Sequence, residues 1–164
     1  MKKTVNVVIA GLGGQGVIKA SDILSEAAFR SGCEVKKSEI HGMSQRGGSV
    51  TSDVRFGPEV LSPMVPPGEA DFLVVLAPDQ VEVNRDRLRA GGVLIAPDLI
   101  DPETLKNHKS FNLALLGALS THLDIDPEQW RAAMHACLAP KLHADNEQAF
   151  AEGRQAAVAA GRQL

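Results

Sequence analysis

The sequence predicts a three-layer α/β fold: helices on both faces of a mostly parallel sheet, with an inserted β-hairpin and a helical C-terminal end. Three observations carry that expectation. Apolar, β-branched runs of strand length alternate with helical periodicity through the N-terminal part of the chain. The first run leads at once into GLGGQG, a glycine-rich turn that opens a helix. The last third holds no strand-like run and reads as helices with their caps.

Residues 4–10 (TVNVVIA) are β-branched and mostly apolar, the composition of a buried strand. A helix follows over 14–31, with Val17, Ala20, Leu24, Ala27 and Ala28 at helical spacing and Gly32 as its stop. Residues 34–38 read as a second strand, which completes a βαβ unit. The polar stretch 39–48 lacks periodicity and reads as a loop. Residues 49–56 alternate, with Val50, Ser52, Val54 and Phe56 on one face and Thr51, Asp53 and Arg55 on the other, which predicts a half-exposed strand. Gly57-Pro58 would turn it into a hairpin with 59–62, and Pro63, Pro66, Pro67 and Gly68 would form a rigid connector. Residues 71–77 and 92–96 read as strands, with a polar helix over 79–89 between them. Asp101-Pro102 and Asp126-Pro127 each pair an N-cap with proline at the first helical position, and Gln129 adds a capping-box pattern to the second. Helices are expected over 112–122, 127–138 and 146–160, and the whole of 1–164 reads as one domain.

Composition excludes several classes. Hydrophobic residues at 44% and charged residues at 23% describe an ordinary globular chain. A net charge of −3 provides no electrostatic footprint for nucleic acid, and five Phe, one Trp and no Tyr make no base-stacking platform. Cys33 and Cys137 cannot hold a cubane iron–sulfur cluster, which takes about four thiolates, and they predict a reducing, cytoplasmic setting without a disulfide framework. The N-terminal apolar run is broken by Asn6 and ends in the glycine turn, unlike a signal peptide. No apolar run approaches the ~18 residues of a membrane span.

Within the turn, Gly11 would permit the tight bend, Gly13 the close approach of a backbone or ligand, and Gly16 close helix–strand packing, with Gly14 and Gln15 between them. Glu39, at the end of the second strand, stands where an acid would hold a ribose hydroxyl. Two readings stay open: a Rossmann-like nucleotide or phosphate site at the helix N-terminus, or glycines that pack the turn against a partner chain. An independent, NAD-type dinucleotide-binding oxidoreductase or sensor using GLGGQG and Glu39 is the alternative function, although a full dinucleotide domain would leave little room here for a separate substrate domain.

The segment SEIHGMSQRGGSV is the second concentration of glycine. His41 could exchange a proton, Arg46 could clamp a carboxylate or phosphate, and Gly42, Gly47 and Gly48 allow close backbone approach beside Gln45. An ordered interface loop is the competing reading. His135, Cys137 and His143 match no zinc spacing, and no base can be assigned to Cys33. Trp130 reads as a packing anchor and Asn112 as a helix cap.

GLGGQG after the first strand, SEIHGMSQRGGSV after the second and the late NLALLGAL together resemble the gamma domain of 2-oxoacid:ferredoxin oxidoreductases. The wording HGMSQRGG is most similar to the small beta subunit of the indolepyruvate branch. Asn112, Gly117, Trp130, Asn146, Ala149, Phe150 and Gly153 extend the resemblance through the helical end. The segment 97–111 is shorter than in many members of that family, which carry an extra strand there. The resemblance implies a subunit that is inactive alone and supports oxidative decarboxylation of a 2-oxoacid to an acyl-CoA, with electrons passing to ferredoxin. It implies that thiamine diphosphate, magnesium and the iron–sulfur clusters belong to a cysteine-rich alpha subunit, with coenzyme A contacted at the interface. It leaves a homodimer open for the isolated chain.

Overall fold

Successive side chains of the central strands face opposite cores, which sets the layers of this molecule. The computed structural model describes residues 3–43 and 46–161. Its strands are β1 (Val5–Leu12), β2 (Glu34–His41), β3 (Ser49–Gly57), β4 (Ala70–Val75) and β5 (Leu88–Ile95). Its α-helices are α1 (Val17–Arg30), α2 (Gln80–Asn84), α3 (Phe111–Ser120), α4 (Pro127–Cys137) and α5 (His143–Gly161). The strands form one sheet in the order β2-β3-β1-β4-β5.

β4 runs parallel to β1, and β5 parallel to β4. β3 is antiparallel to both β1 and β2, so β2 points the same way as β1 and the sheet is mostly parallel in direction. The inserted hairpin is therefore β2–β3, and the second glycine segment is its tip. This corrects the expectation of a hairpin between 49–56 and 59–62. After Gly57 the chain crosses the sheet face and uses its polar groups on side chains instead of a ladder. Arg55 Nη1 donates to the Ser62 carbonyl (2.9 Å), and the Val65 N–H donates to Asp53 Oδ2 (2.9 Å). β3 is also no half-exposed strand. It lies between two neighbours, and Asp53, only 1% exposed, is neutralised by Arg87 Nη2 at 2.9 and 2.8 Å from its two oxygens.

Val7, Ile9, Val54, Phe56 and Val74 face a large core built with α1, α3, α4 and α5. The intervening Val8, Ala10, Leu73 and Val75 face a small core closed by Val65 and by Val81 of α2. The second helical layer is thus thin. α1 ends in a Schellman motif around Gly32 (φ 86°): the Cys33 N–H bonds the Ala28 carbonyl and the Gly32 N–H bonds the Phe29 carbonyl. α4 starts as its sequence predicts, with the Asp126 carboxylate accepting from the Glu128 N–H. Gln129 joins this cap through its own N–H, which donates to the Asp126 carbonyl. Asp101-Pro102 opens only a 3₁₀ turn, Pro102–Thr104. α3 is buried on every side from Asn112 to Ser120, between the sheet and α5.

α4 and α5 are tied by parallel imidazole rings, His135 on His143, with centroids 4.0 Å apart. His135 Nε2 pairs with the Glu147 carboxylate, and Arg131 lies 3.5 Å from it. Burial would raise the Glu147 carboxyl, but the His135 hydrogen bond and the Arg131 charge outweigh it and hold it below its ordinary 4.5. The folded pKa is thus the lower one, so this stabilisation is present above the unfolded value and lost as pH falls through the folded value. Glu147→Gln is expected to melt below the wild type near pH 7, with the gap closing below about pH 4. Melting curves of both proteins across this range test it, and a gap independent of pH contradicts it.

Candidate functional site

The carboxyl ends of β1 and β4 meet at a turn that the sequence holds in place from inside. The Leu12 N–H donates to Gln15 Oε1 (2.7 Å), the Gln15 N–H donates to the Leu12 carbonyl (3.1 Å), and Gln15 Nε2 reaches the Leu76 carbonyl (3.5 Å). A Cβ on Gly11 would lie 2.9 Å from both Gln15 Oε1 and Val17 Cγ2. Gln15 therefore fastens β1 to the end of β4. Gly16 caps α1 with φ 84°, a conformation that disfavours any side chain. A Cβ there would land on the Asn112 amide, whose Nδ2 donates to the Gly16 carbonyl (3.1 Å). Asn112 is 6% exposed and reaches across from α3, so it fastens the head of α1. No side chain caps α1 and no acid lies in its first turn, which leaves N–H groups and the positive end of the helix dipole toward the turn.

The two glycine segments touch. The Gly13 N–H donates to the Gly48 carbonyl (2.8 Å), and a Cβ on Gly13 would lie 3.3 Å from the Gly47 nitrogen. The hairpin tip closes through the Gly42 N–H and the Ser49 carbonyl (2.6 Å). A small cavity of about 110 Å³ lies between the segments, bordered by Gly13, His41, Gly42, Arg46, Gly47 and Gly48. On the other side of the turn, Gly14, Gln15, Gly16 and Leu76 face Pro102, His108, Lys109 and Phe111 across a cavity of about 650 Å³. Lys109 stands there beside the head of α1, an arrangement suited to an anionic group. A cavity of about 530 Å³ at the β5 edge lies away from both glycine segments.

Not every residue singled out in the sequence reaches this place. β3 separates β2 from β1, so Glu39 lies level with Ser52 and Ile9, two strands from the turn. Two strand spacings are about 9.6 Å. Glu39 instead takes part in a surface cluster: Lys37 Nζ bonds Glu39 Oε1 (2.7 Å) and also pairs with Asp22 of α1. Burial opposes the Lys37 charge, but both carboxylates outweigh it and raise its pKa above 10.5. His41 Nε2 is 4.0 Å from Glu39 Oε2 on a largely exposed side chain. Gln45 lies outside the described residues. Burial, with Glu26 and Asp22 nearby, pushes the Cys137 thiol up, which disfavours the thiolate. His108 and Lys109 escaped sequence reasoning: they lie in a short 3₁₀ turn, His108–Ser110, and only the fold brings them to α1.

A dinucleotide fingerprint needs its second glycine free for a pyrophosphate and its acid beside the ribose. Here the space at Gly13 is taken by the Gly47–Gly48 backbone, and Glu39 is held two strands away. Among the described residues no group of three or more His, Cys, Asp or Glu could hold a metal ion, and no helix is long and apolar enough to cross a membrane.

Comparison with known proteins assigns the chain. The family model described as "Pyruvate ferredoxin/flavodoxin oxidoreductase" matches residues 6–156. Indolepyruvate oxidoreductase subunit IorB of Thermococcus kodakarensis is 48% identical over 92 residues, covering 56% of this chain and 46% of the relative. The chain thus aligns with about half the length of that curated relative. The pyruvate/ketoisovalerate oxidoreductase common subunit gamma of Thermococcus litoralis is 33% identical over 120 residues, covering 70% of this chain and 65% of the relative. The keto/oxoacid ferredoxin oxidoreductase gamma subunit of Geobacter sulfurreducens superposes with a TM-score of 0.80 at 24% identity, covering 96% of this chain and 98% of that one. A 2-oxoglutarate:ferredoxin oxidoreductase from Magnetococcus marinus, solved with 2-oxoglutarate, coenzyme A and succinyl-CoA, superposes with a TM-score of 0.81 at 24% identity, covering 97% of this chain and 32% of that one. At these identities the two structures speak for the fold. With the matched model spanning both glycine segments and the helical end, the chain belongs to the pyruvate ferredoxin/flavodoxin oxidoreductase family.

Proposed function

We propose that the chain is the small, gamma-type subunit of an indolepyruvate-type 2-oxoacid:ferredoxin oxidoreductase. It supports oxidative decarboxylation of a 2-oxoacid to an acyl-CoA, with electrons delivered to ferredoxin, and has no turnover alone. Thiamine diphosphate, magnesium and the iron–sulfur clusters are carried by a cysteine-rich alpha subunit. Two cysteines cannot ligate a cubane cluster. The observation that carries this reading is the contact between Gly13 and Gly47–Gly48, which joins the two family segments into one surface beside the head of α1. Coenzyme A fits that surface. Lys109 and His108 face one cavity across from Gly16, the residue that caps α1, and Arg46 borders the other, donors suited to phosphate groups. When bound, coenzyme A would accept the acyl group. This chain's residues would hold its anionic end and leave the chemistry to the partner.

Co-expression with the cysteine-rich chain tests the reading. A brown complex should copurify and reduce a viologen dye with indolepyruvate and coenzyme A. A stable homo-oligomer that neither binds that chain nor alters its turnover overturns the proposal. Arg46→Ala is expected to lower turnover of the complex roughly tenfold, the size of one charge-assisted contact worth about 1.4 kcal/mol. The isolated variant should remain folded. Unfolding of isolated Arg46→Ala would make this arginine structural and remove it from the site.

A further inference from the structure

The small core is covered by little more than the 58–69 segment and the five-residue α2. Val65 and Val81 share that core, and a Cβ on Gly68 would lie 3.7 Å from the Asp86 carbonyl, so the segment, α2 and the turn after it form one cover. The outside of this cover exposes three large apolar side chains, two from the segment and one from α2. Leu61 is 82% exposed, Met64 53% and Val83 66%. Large apolar side chains grouped on one face mark a contact surface more than scattered ones do.

Charge selects the partner. The arginines on this face are committed: Arg85 to Glu82 (2.7 Å), Arg87 to Asp53 (2.8 Å) and Arg89 to Asp71 (2.7 Å). Arg55 bonds neutral groups, Asn6 Oδ1 and the Ser62 carbonyl, both at 2.9 Å, so its single charge remains against the acids of this face. The exposed carboxylates of Glu59, Glu69, Asp79 and Asp86 have no cationic partner among the described residues. A second copy docked by this face about a two-fold axis would bring acidic rim against acidic rim. A surface with apolar side chains inside a ring of lysine and arginine complements it.

We propose that the Leu61–Met64–Val83 face is the docking surface for the catalytic chain of the oxidoreductase complex, through an apolar patch on that chain rimmed by basic residues. This rests on the subunit reading above. It adds which face is covered and what chemistry covers it, a face distinct from the glycine segments.

The test compares binding of the cysteine-rich catalytic chain to the wild type, to Leu61→Asp/Val83→Asp, and to Glu59→Lys/Asp86→Lys. Circular dichroism and melting of each isolated chain serve as the control, because all four side chains are exposed. The aspartate pair should weaken association roughly tenfold or more. The lysine pair should weaken association at low salt, and the difference should shrink as salt rises. Wild-type affinity in the aspartate pair overturns the proposal and leaves the subunit reading standing. So does a homodimer that this pair dissolves while the complex persists. Failure of the wild type itself to bind the catalytic chain overturns both.

Discussion

Gly153→Ala and Gly117→Ala are each expected to lose about 3 kcal/mol or more of stability, a large share of the 5–15 kcal/mol typical of a domain. α3 and α5 cross so closely that a Cβ on Gly153 would land on the Ala114 carbonyl, and one on Gly117 on the Phe150 carbonyl. The obstructing atoms are backbone, so no rotamer change relieves them. The helices must move apart, opening the packing of Leu113, Leu116 and Phe150 in the large core. They must also break the bond from Arg154 Nη1 to Ser120 Oγ (2.6 Å). Alanine is the better helix former by about 1 kcal/mol, which offsets only part of the loss. Gly161→Ala is the control: it ends the same helix, and its Cβ would meet nothing within 4 Å. Urea unfolding should show Gly161→Ala at or slightly above wild-type stability and the other two far below. Stability within about 0.5 kcal/mol of wild type in either would contradict the close crossing.

These two glycines show what kind of feature a sequence exposes. The helical end was legible because periodicity and caps are local: α3, α4 and α5 begin and end within a few residues of the predicted spans. The reason for Gly117 and Gly153 was not local, since each meets a backbone more than thirty residues away. The sheet divides in the same manner. The β1–turn–α1 unit follows from TVNVVIA and the glycines, but the position of β3 between β1 and β2 does not. Alternation in 49–56 reported one apolar face and one polar face. It could not report that Arg87 would arrive to neutralise Asp53, or that the 58–69 segment would cover that face. Gly57-Pro58 looked like a hairpin turn because the true partner, β2, precedes the strand and is joined to it by the loop read as a ligand segment. The observed strand order holds Glu39 away from the turn and brings Gly47 and Gly48 to Gly13. One error in strand order thus changed the chemistry read from the glycines.

Gly13→Val is expected to leave the isolated chain folded and to reduce turnover of the assembled complex about 100-fold. Gly13 donates its N–H to the Gly48 carbonyl, and its Cα faces the Gly47 backbone with room for only a strained methyl, at 3.3 Å from the nitrogen. A branched side chain must drive the hairpin tip from the turn. The fold loses one hydrogen bond worth about 1 kcal/mol at the end of the sheet. The site loses more. Arg46, Gly47 and Gly48 shift together relative to the head of α1, and a displacement of about 1 Å between groups that must act on one ligand costs on the order of 100-fold in rate. Gly13→Ala should fall between wild type and valine, since a neighbour moving a few tenths of an ångström accommodates the methyl. The same variants settle the dinucleotide reading. Calorimetry of the wild type with NAD and NADP should show no micromolar binding, because the protein's own backbone fills the approach to Gly13. Tight binding abolished by Gly13→Val would restore a nucleotide site, and wild-type turnover in the Gly13→Val complex would disconnect the glycine contact from function.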